Sequence, residues 1–239
     1  MDIAGYPVGE YHSWHGRITV DLSVAKLGER GLYRMGLAMH TVADHRNDIY
    51  FRLTRLYYDA TQLVEYRLGR GVVYAGLRHR CSHGIDDAVE GRILIRSGPE
   101  LGHHHEVPLG PLRLAVRSFV HGNMIAQNPD TTFRPRLLLA STAQVRFRTG
   151  SLELLASAGL GGALVSGTEA ASAGETFGFG SPWRNLKLVP LPAAALGMHA
   201  HGRVAAFTTV VHLQRLLDNG FGDRADSETL MAVELGFLW

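Results

Sequence analysis

The sequence is poor in residues that define several common protein classes. It has one cysteine among 239 residues, which excludes an internal disulfide, a multi-cysteine zinc site and a Cys-x-x-Cys-His haem attachment. It also has no run approaching the ~18 consecutive apolar residues of a membrane helix. The nearest candidate, from 152 to 165, is interrupted by Glu153, Ser157 and glycines. A disulfide-rich scaffold and a helical membrane protein are therefore both excluded.

Lysine is scarce as well, because only Lys26 and Lys187 are lysines among the 24 basic residues. A GC-rich genome would give the same arginine bias. Only 19% of the residues are charged, the net charge is +2 and 46% are hydrophobic, which is too apolar for a disordered chain. The arginines are spread along the chain and form no basic stripe, so nucleic acid is not an expected partner. Composition alone would indicate a soluble globular domain.

Period-2 alternation of apolar and polar residues recurs almost from end to end, which is typical of strands with one buried or lipid-facing side. Twelve segments show it: 17–24, 33–40, 49–54, 64–68, 73–78, 89–96, 112–117, 133–147, 152–161, 186–198, 204–213 and 229–239. The segment at 186–198 is the weakest, because Pro190 and Pro192 lie inside it. No boundary in composition divides the chain, so we expect one domain over 1–239.

The segment 133–147 is longer than the usual globular strand and long enough to cross a bilayer as a tilted strand. Long strands in an even number predict an all-β, antiparallel, up-and-down transmembrane barrel of about 12 strands with both termini periplasmic. We expect 1–15 to be an N-terminal periplasmic segment. Periplasmic turns would then lie at 43–48, 69–71, 149–151 and 200–202, with an unusually long periplasmic connection at 97–110. The outward loops would be 121–132, 167–185 and 215–228.

The C-terminus carries the most specific local pattern. Met231, Val233, Leu235, Phe237 and Trp239 alternate with other residues, and the chain stops on the aromatic. This resembles the C-terminal assembly signal of bacterial outer-membrane β-barrels, which implies location in that membrane. A soluble domain ending in such a strand would leave an apolar edge open to aggregation. Residues 1–20 contain no basic segment followed by an apolar one, so we expect the numbering to begin at a processed or engineered N-terminus.

With the apolar set facing lipid, the opposite positions would face the lumen and carry arginines balanced by few acids. The predicted lumen arginines are Arg17, Arg34, Arg52, Arg67, Arg78, Arg80, Arg92, Arg96, Arg113, Arg117, Arg134, Arg136, Arg146 and Arg148. The acids expected there are Asp21, Glu65, Glu90, Glu153 and Glu234. Such a lumen is either a packed ion-pair network or a narrow anion-tolerant pore. We therefore expect a pore or a structural component of an envelope complex.

A second function is indicated by the segment 77–87. His79 and Cys81 share the lipid-facing parity of Leu77, and Ser82 follows. The segment resembles the His-x-Ser pair of outer-membrane phospholipase A and lipid A deacylase, with Cys in place of Ser. The resemblance implies an outer-leaflet acyl hydrolase with His79 as base, Cys81 or Ser82 as nucleophile and a third member on the next strand.

The predicted returning strand offers only Val89, Gly91 and Ile93 at outward positions, so Asp86 or Asp87 would have to orient His79 from the loop. The open alternatives are a polar loop with histidines at headgroup level, an accidental cysteine and a lipid attachment point.

Eight of the 13 histidines fall at the predicted periplasmic end. The densest group, His103, His104 and His105 beside Glu106, offers ligands for a divalent metal. Solvated turns and contact with a periplasmic partner protein are the other interpretations. No other cofactor is expected, since no glycine-rich loop opens a helix. The expected partners are outer-membrane lipid or lipopolysaccharide.

Overall fold

The computed structural model describes residues 2–8, 14–44, 52–84, 93–127, 133–167, 186–202, 206–216 and 228–238. The regular structure in these ranges is β-strand, and within them no helix is long and apolar enough to span a membrane. The strands are β1 (Asp2–Val8), β2 (Trp14–Leu27), β3 (Gly31–Asp44), β4 (Arg52–Leu68), β5 (Gly71–Gly84), β6 (Ile93–Leu109), β7 (Leu112–Gly122), β8 (Ile125–Gln127), β9 (Phe133–Thr149), β10 (Leu152–Gly167), β11 (Leu186–His201), β12 (Ala206–Leu216) and β13 (Glu228–Leu238).

The strand pairing is antiparallel and cyclic. Sequential long strands are neighbours throughout, with β7 paired to β9, and β1 pairs with β13 at the seam. The pairing of β5 with β6 completes the ring. Short β8 continues the line of β7 along β6 after an irregular step at Asn123 and Met124. The predicted all-β, antiparallel, up-and-down architecture is therefore confirmed, with twelve positions in the ring.

The two ends of the ring differ in their connections. One end carries four tight turns, each with a glycine at positive φ: Gly28, Gly69, Gly110 and Gly150, at 70°, 59°, 64° and 58°. Side chains with a Cβ adopt this conformation only at a cost, so glycine is the natural residue there. Asp2 pairs with Gly236 at this same end. The rule that short turns face the periplasm would put both termini there.

Each strand separates an exposed apolar face from a polar one. On the outer face, Leu77, Leu160 and Leu196 are 59%, 67% and 67% exposed, as suits contact with lipid. The alternate residues form what we call the inner face, where Asp59 and Glu100 are only 8% and 3% exposed. The band of exposed leucines and valines and the polar inner face are those of a transmembrane barrel.

Two sequence predictions about the first half of the chain are wrong. The segments 49–54 and 64–68 are parts of one strand, β4, and the predicted N-terminal segment 1–15 contains β1 and the start of β2. The two errors cancel in the strand count. They reverse the direction of the early strands, so β3 ends at Asp44 at the end of the ring opposite the tight turns. The predicted turn 43–48 therefore begins at the wrong end, and its residues 45–48 lie outside the described residues.

The predicted connection 97–110 is also wrong, because these residues form most of β6. Six polar residues, four of them consecutive at 103–106, and two prolines, Pro99 and Pro108, hide the alternation there. The weak segment at 186–198 does form a strand: Pro190 and Pro192 pair with Gly162 and Leu160 inside β11. Most residues of the predicted outward loops lie outside the described residues.

Candidate active site

A short polar contact on the outer face joins β5 to β6. His79 pairs with Ser97 in the antiparallel register, and His79 Nδ1 lies 2.6 Å from Ser97 Oγ. Directly paired residues have neighbouring Cβ atoms, so a short hydroxyl can reach the ring of the opposite histidine. On the lipid side of the ring, His79 is exposed and Ser97 is half-buried. A histidine in a lipid-facing surface costs free energy, and residues kept there despite that cost are commonly functional.

Cys81 extends this pair along β5. It lies two residues after His79, so strand alternation puts both on the outer face, about 6.6 Å apart along the chain. Cys81 is half-buried and is flanked across the sheet by Tyr58 and Ile95. Because Nδ1 of His79 is occupied by Ser97, the other ring nitrogen is the one available to Cys81.

The site lies toward the end of the ring opposite the tight turns. His79 is eight residues beyond Gly71, which starts β5 at the tight-turn end. With a rise of ~3.3 Å per residue and a tilt of ~40°, this puts His79 roughly 20 Å up the ring. The apolar band of such barrels is about 25 Å tall. His79 and Cys81 therefore lie near the border of that band, on the side away from the tight turns.

The backbone beside Ser97 is unusual. Gly98 and Gly122 lie so close that a Cβ added at Gly98 would overlap the carbonyl oxygen of Gly122. The amide of Met124 donates to the carbonyl of Ser97 at 2.8 Å, where β7 gives way to β8. Irregular strand positions re-aim nearby side chains and are common next to functional sites. Here the irregular residues are Asn123 and Met124, and Met124 is hydrogen-bonded to the backbone of Ser97.

The remaining predicted catalytic residues are placed less fully. Ser82 lies in β5 by its backbone, but its side chain is outside the described residues, as is the whole of Asp86. Of the predicted third-member positions, Ile93 pairs with His83 and the other two lie outside the described residues. Sequence reasoning missed Ser97, because it treated 97–110 as a connection. The detectable signal was the polar residue itself, which continues the outward parity of Ile93 and Ile95.

The inner face below this site holds an ion-pair network. Arg78 Nη1 lies 3.2 Å from Glu100 Oε2, and its Nε lies 3.7 Å from Asp59 Oδ1. Asp59 Oδ2 is 3.2 Å from His40 Nε2 and 3.9 Å from Arg80 Nε. These contacts link β3, β4, β5 and β6 across the inside of the sheet. Such contacts are those expected if the inner face is a packed ion-pair network, the first of the two interpretations of the predicted lumen.

Further pairs extend the network along the inner face. Arg34 contacts Glu65 at 3.0 Å, Arg113 contacts Glu106 at 3.4 Å, and the Arg117 guanidinium lies 5.9 Å from the Tyr74 ring centroid. The predicted set of inner-face acids omitted Asp59, Glu100 and Glu106, because the strands that carry these residues were placed wrongly. Arg92 lies outside the described residues, and the side chains of Arg52 and Arg134 are not described. The wider prediction of one arginine-lined lumen stays a prediction.

The predicted metal ligands lie in a strand, not in a turn. His103 and His105 share one face, with ring centroids 5.9 Å apart, while His104 has the opposite parity. Three consecutive residues of a strand cannot converge on one ion. Among the described residues no group of three or more His, Cys, Asp or Glu side chains is placed to hold a metal. The structure therefore does not bring the three histidines together.

Comparison with known proteins adds structural relatives only. No protein-family model matches the sequence, and no curated protein matches it. Outer membrane phospholipase A from Escherichia coli is 11% identical with a TM-score of 0.55, over 99% of this chain and 93% of that one. The outer membrane phospholipase dimer with bound calcium from Salmonella typhi is 11% identical with a TM-score of 0.53, over 94% and 77%. LpxR from Salmonella typhimurium is 8% identical with a TM-score of 0.52, over 100% and 98%.

The fold is therefore that of a bacterial outer-membrane β-barrel. The similar structures include the two kinds of protein that the segment around His79 resembles in sequence, and they are outer-membrane proteins, as predicted for this chain.

Proposed function

We propose that this chain is an outer-leaflet lipid acyl hydrolase with its active site on the outer face of β5 and β6. The observation that carries the proposal is the 2.6 Å contact between His79 Nδ1 and Ser97 Oγ, two residues before Cys81 on the same face. A nucleophile, a base and a group that orients the base are the parts of nucleophilic acyl transfer. All three groups are on the outer side of the sheet, which ester-bearing lipids contact.

His79 is the general base in this proposal. When Nδ1 carries the ring proton, it donates a hydrogen bond to Ser97 Oγ, and Nε2 keeps a free lone pair. This is the tautomer needed to accept a proton from the thiol of Cys81. Ser97 is then a positioning residue, because it holds the ring without touching the reacting atoms.

The thiol of Cys81 is the nucleophile. As its proton passes to His79, the sulfur bonds to the ester carbonyl carbon, the ester C–O bond breaks and the leaving alcohol takes the proton back from His79. Water then attacks the thioester, His79 accepts a proton from that water, the C–S bond breaks and the thiol is restored. The products are a free fatty acid and a lysolipid.

The surroundings suit an ester-linked acyl chain. Leu77 and Leu101 are 59% and 57% exposed on the membrane side of the site, and Met124, at 51%, lies beside Ser97. The similarity in fold to outer membrane phospholipase A and LpxR supports the same proposal. The pore interpretation has less support, because the inner-face arginines near the site contact carboxylates.

The test is release of fatty acid from mixed phospholipid vesicles containing the refolded protein. Calcium belongs in the buffer, since a structural relative is described with bound calcium. We expect His79→Ala to lower the rate by about 10²–10⁴-fold, the usual contribution of a general base. His103→Ala is the matched control, because His103 is another exposed histidine on the outer face, in the neighbouring strand β6.

Substitutions of Cys81 and Ser97 separate the two candidate nucleophiles. We expect Cys81→Ala to abolish fatty-acid release and Ser97→Ala only to reduce it. The opposite result would make Ser97 the nucleophile. Equal activity of wild type, His79→Ala and Cys81→Ala, each with the heat-dependent gel shift of a folded barrel, would overturn the proposal.

A further inference from the structure

A cysteine at the nucleophile position changes the fate of the acyl group. We propose that Cys81 passes the acyl chain to the primary amine of a second lipid, so that the chain is a lipid acyltransferase more than a hydrolase. This inference rests on the proposed function and concerns only its second step. Its physical basis is the joint placement of a thiol and a base on a lipid-facing surface.

The acyl intermediate on Cys81 is a thioester, whereas a serine would form an oxygen ester. Sulfur donates less electron density to the carbonyl carbon than oxygen does, so a thioester is much more reactive toward amines. Its advantage toward water is small by comparison. An amine that reaches the thioester of Cys81 therefore competes with water far better than it would at a serine ester.

The position of Cys81 favours this competition. The residue is half-buried between Tyr58 and Ile95, and the exposed side chains of Leu77 and Leu101 lie on its membrane side. Lipids are present at high local concentration at such a surface, which raises the effective concentration of a headgroup amine beside the thioester. Headgroup amines lie at the border of the apolar band, which is also the height of His79 and Cys81 on the ring.

The transfer step is balanced without a further reactant. The amine nitrogen attacks the thioester carbonyl, and His79 Nε2 accepts one proton from the nitrogen. The C–S bond then breaks, and the sulfur takes the proton from His79, which restores the thiol. One ester-linked lipid and one amine-bearing lipid become a lysolipid and an N-acylated lipid.

The test uses the full chain in vesicles of phosphatidylcholine with an isotope-labelled acyl chain and unlabelled phosphatidylethanolamine as the amine. Mass spectrometry measures labelled N-acyl phosphatidylethanolamine and labelled free fatty acid. We expect the N-acyl lipid to exceed the fatty acid and to rise with the fraction of phosphatidylethanolamine. In Cys81→Ser the ratio of transfer to hydrolysis should fall several-fold, because the intermediate becomes an oxygen ester.

The outcomes separate this inference from the proposed function. Labelled fatty acid alone, at every phosphatidylethanolamine content, overturns the transfer step and leaves the hydrolase standing. Neither product from a folded wild-type barrel overturns both. If Cys81→Ser does not fold, trapping decides: wild-type protein should carry the mass of one acyl chain, and neutral hydroxylamine should remove it. Absence of that adduct during turnover would contradict the thioester.

Discussion

His79 Nδ1 lies 2.6 Å from Ser97 Oγ, across the pairing of β5 with β6 on the lipid-facing side of the ring. The two residues are 18 positions apart in the chain and lie in different strands. Their contact depends on the register of two antiparallel strands, in which a shift by one residue would move Ser97 to the inner face. The candidate site is thus a product of strand register.

Ser97→Ala tests the positioning role of this hydroxyl. We expect kcat to fall by up to about tenfold with KM unchanged, because one hydrogen bond that orients the base is lost. Ser97→Thr should restore most of the activity, since it returns the hydroxyl. Ser118→Ala is the matched control, because Ser118 Oγ contacts Ser141 Oγ at 2.9 Å on the same outer face. A change in KM alone would contradict the positioning role.

Gly98→Ala tests the close backbone approach behind Ser97. The added Cβ would overlap the carbonyl oxygen of Gly122, so the irregular step between β7 and β8 must shift. We expect a lower folding yield, or a folded barrel with reduced acyl release. Gly122→Ala is the matched control, since its Cβ would meet nothing closer than Pro99 Cγ at 3.9 Å. Equal yield and activity in the two variants would show that the approach is unimportant.

Glu100→Gln tests the stability of the inner-face network. The Glu100 side chain is 2% exposed and contacts Arg78, so loss of its charge leaves a poorly compensated guanidinium. We expect the free energy of unfolding in urea to fall by about 1–3 kcal/mol. Glu106→Gln should change it by less than about 1 kcal/mol, because its partner Arg113 is 54% exposed. The reverse order would contradict the ion-pair network of Arg78, Asp59 and Glu100.

Planar-bilayer recordings test the pore interpretation directly. The contacts of Arg78 with Asp59 and Glu100 tie inner-face side chains together across neighbouring strands, so we expect no steady anion-selective current from wild-type protein. The combined change of Arg78→Ala and Glu100→Ala removes part of this network and should increase conductance if the barrel folds. A large anion-selective current in wild type, with no acyl release in vesicles, would favour the pore.

Alternation in the sequence determined most of the architecture. Segment 133–147 carries an apolar residue at every second position except Ser141, and so long an alternation is typical of a strand with one face toward lipid. The same parity assigns His79 and Cys81 to the outer face from the sequence alone. Local pattern was enough here, because alternation depends on neighbouring residues alone.

The tertiary structure decided how the strands pair. The sequence did not reveal β1, split β4 into two and left most of β6 as a connection, because short or polar-rich strands give little alternation. Pairing then brought Ser97 to His79 and Glu100 to Arg78. The physical reason is that register arises from hydrogen bonds between strands distant in the chain, which the period of a single strand does not encode.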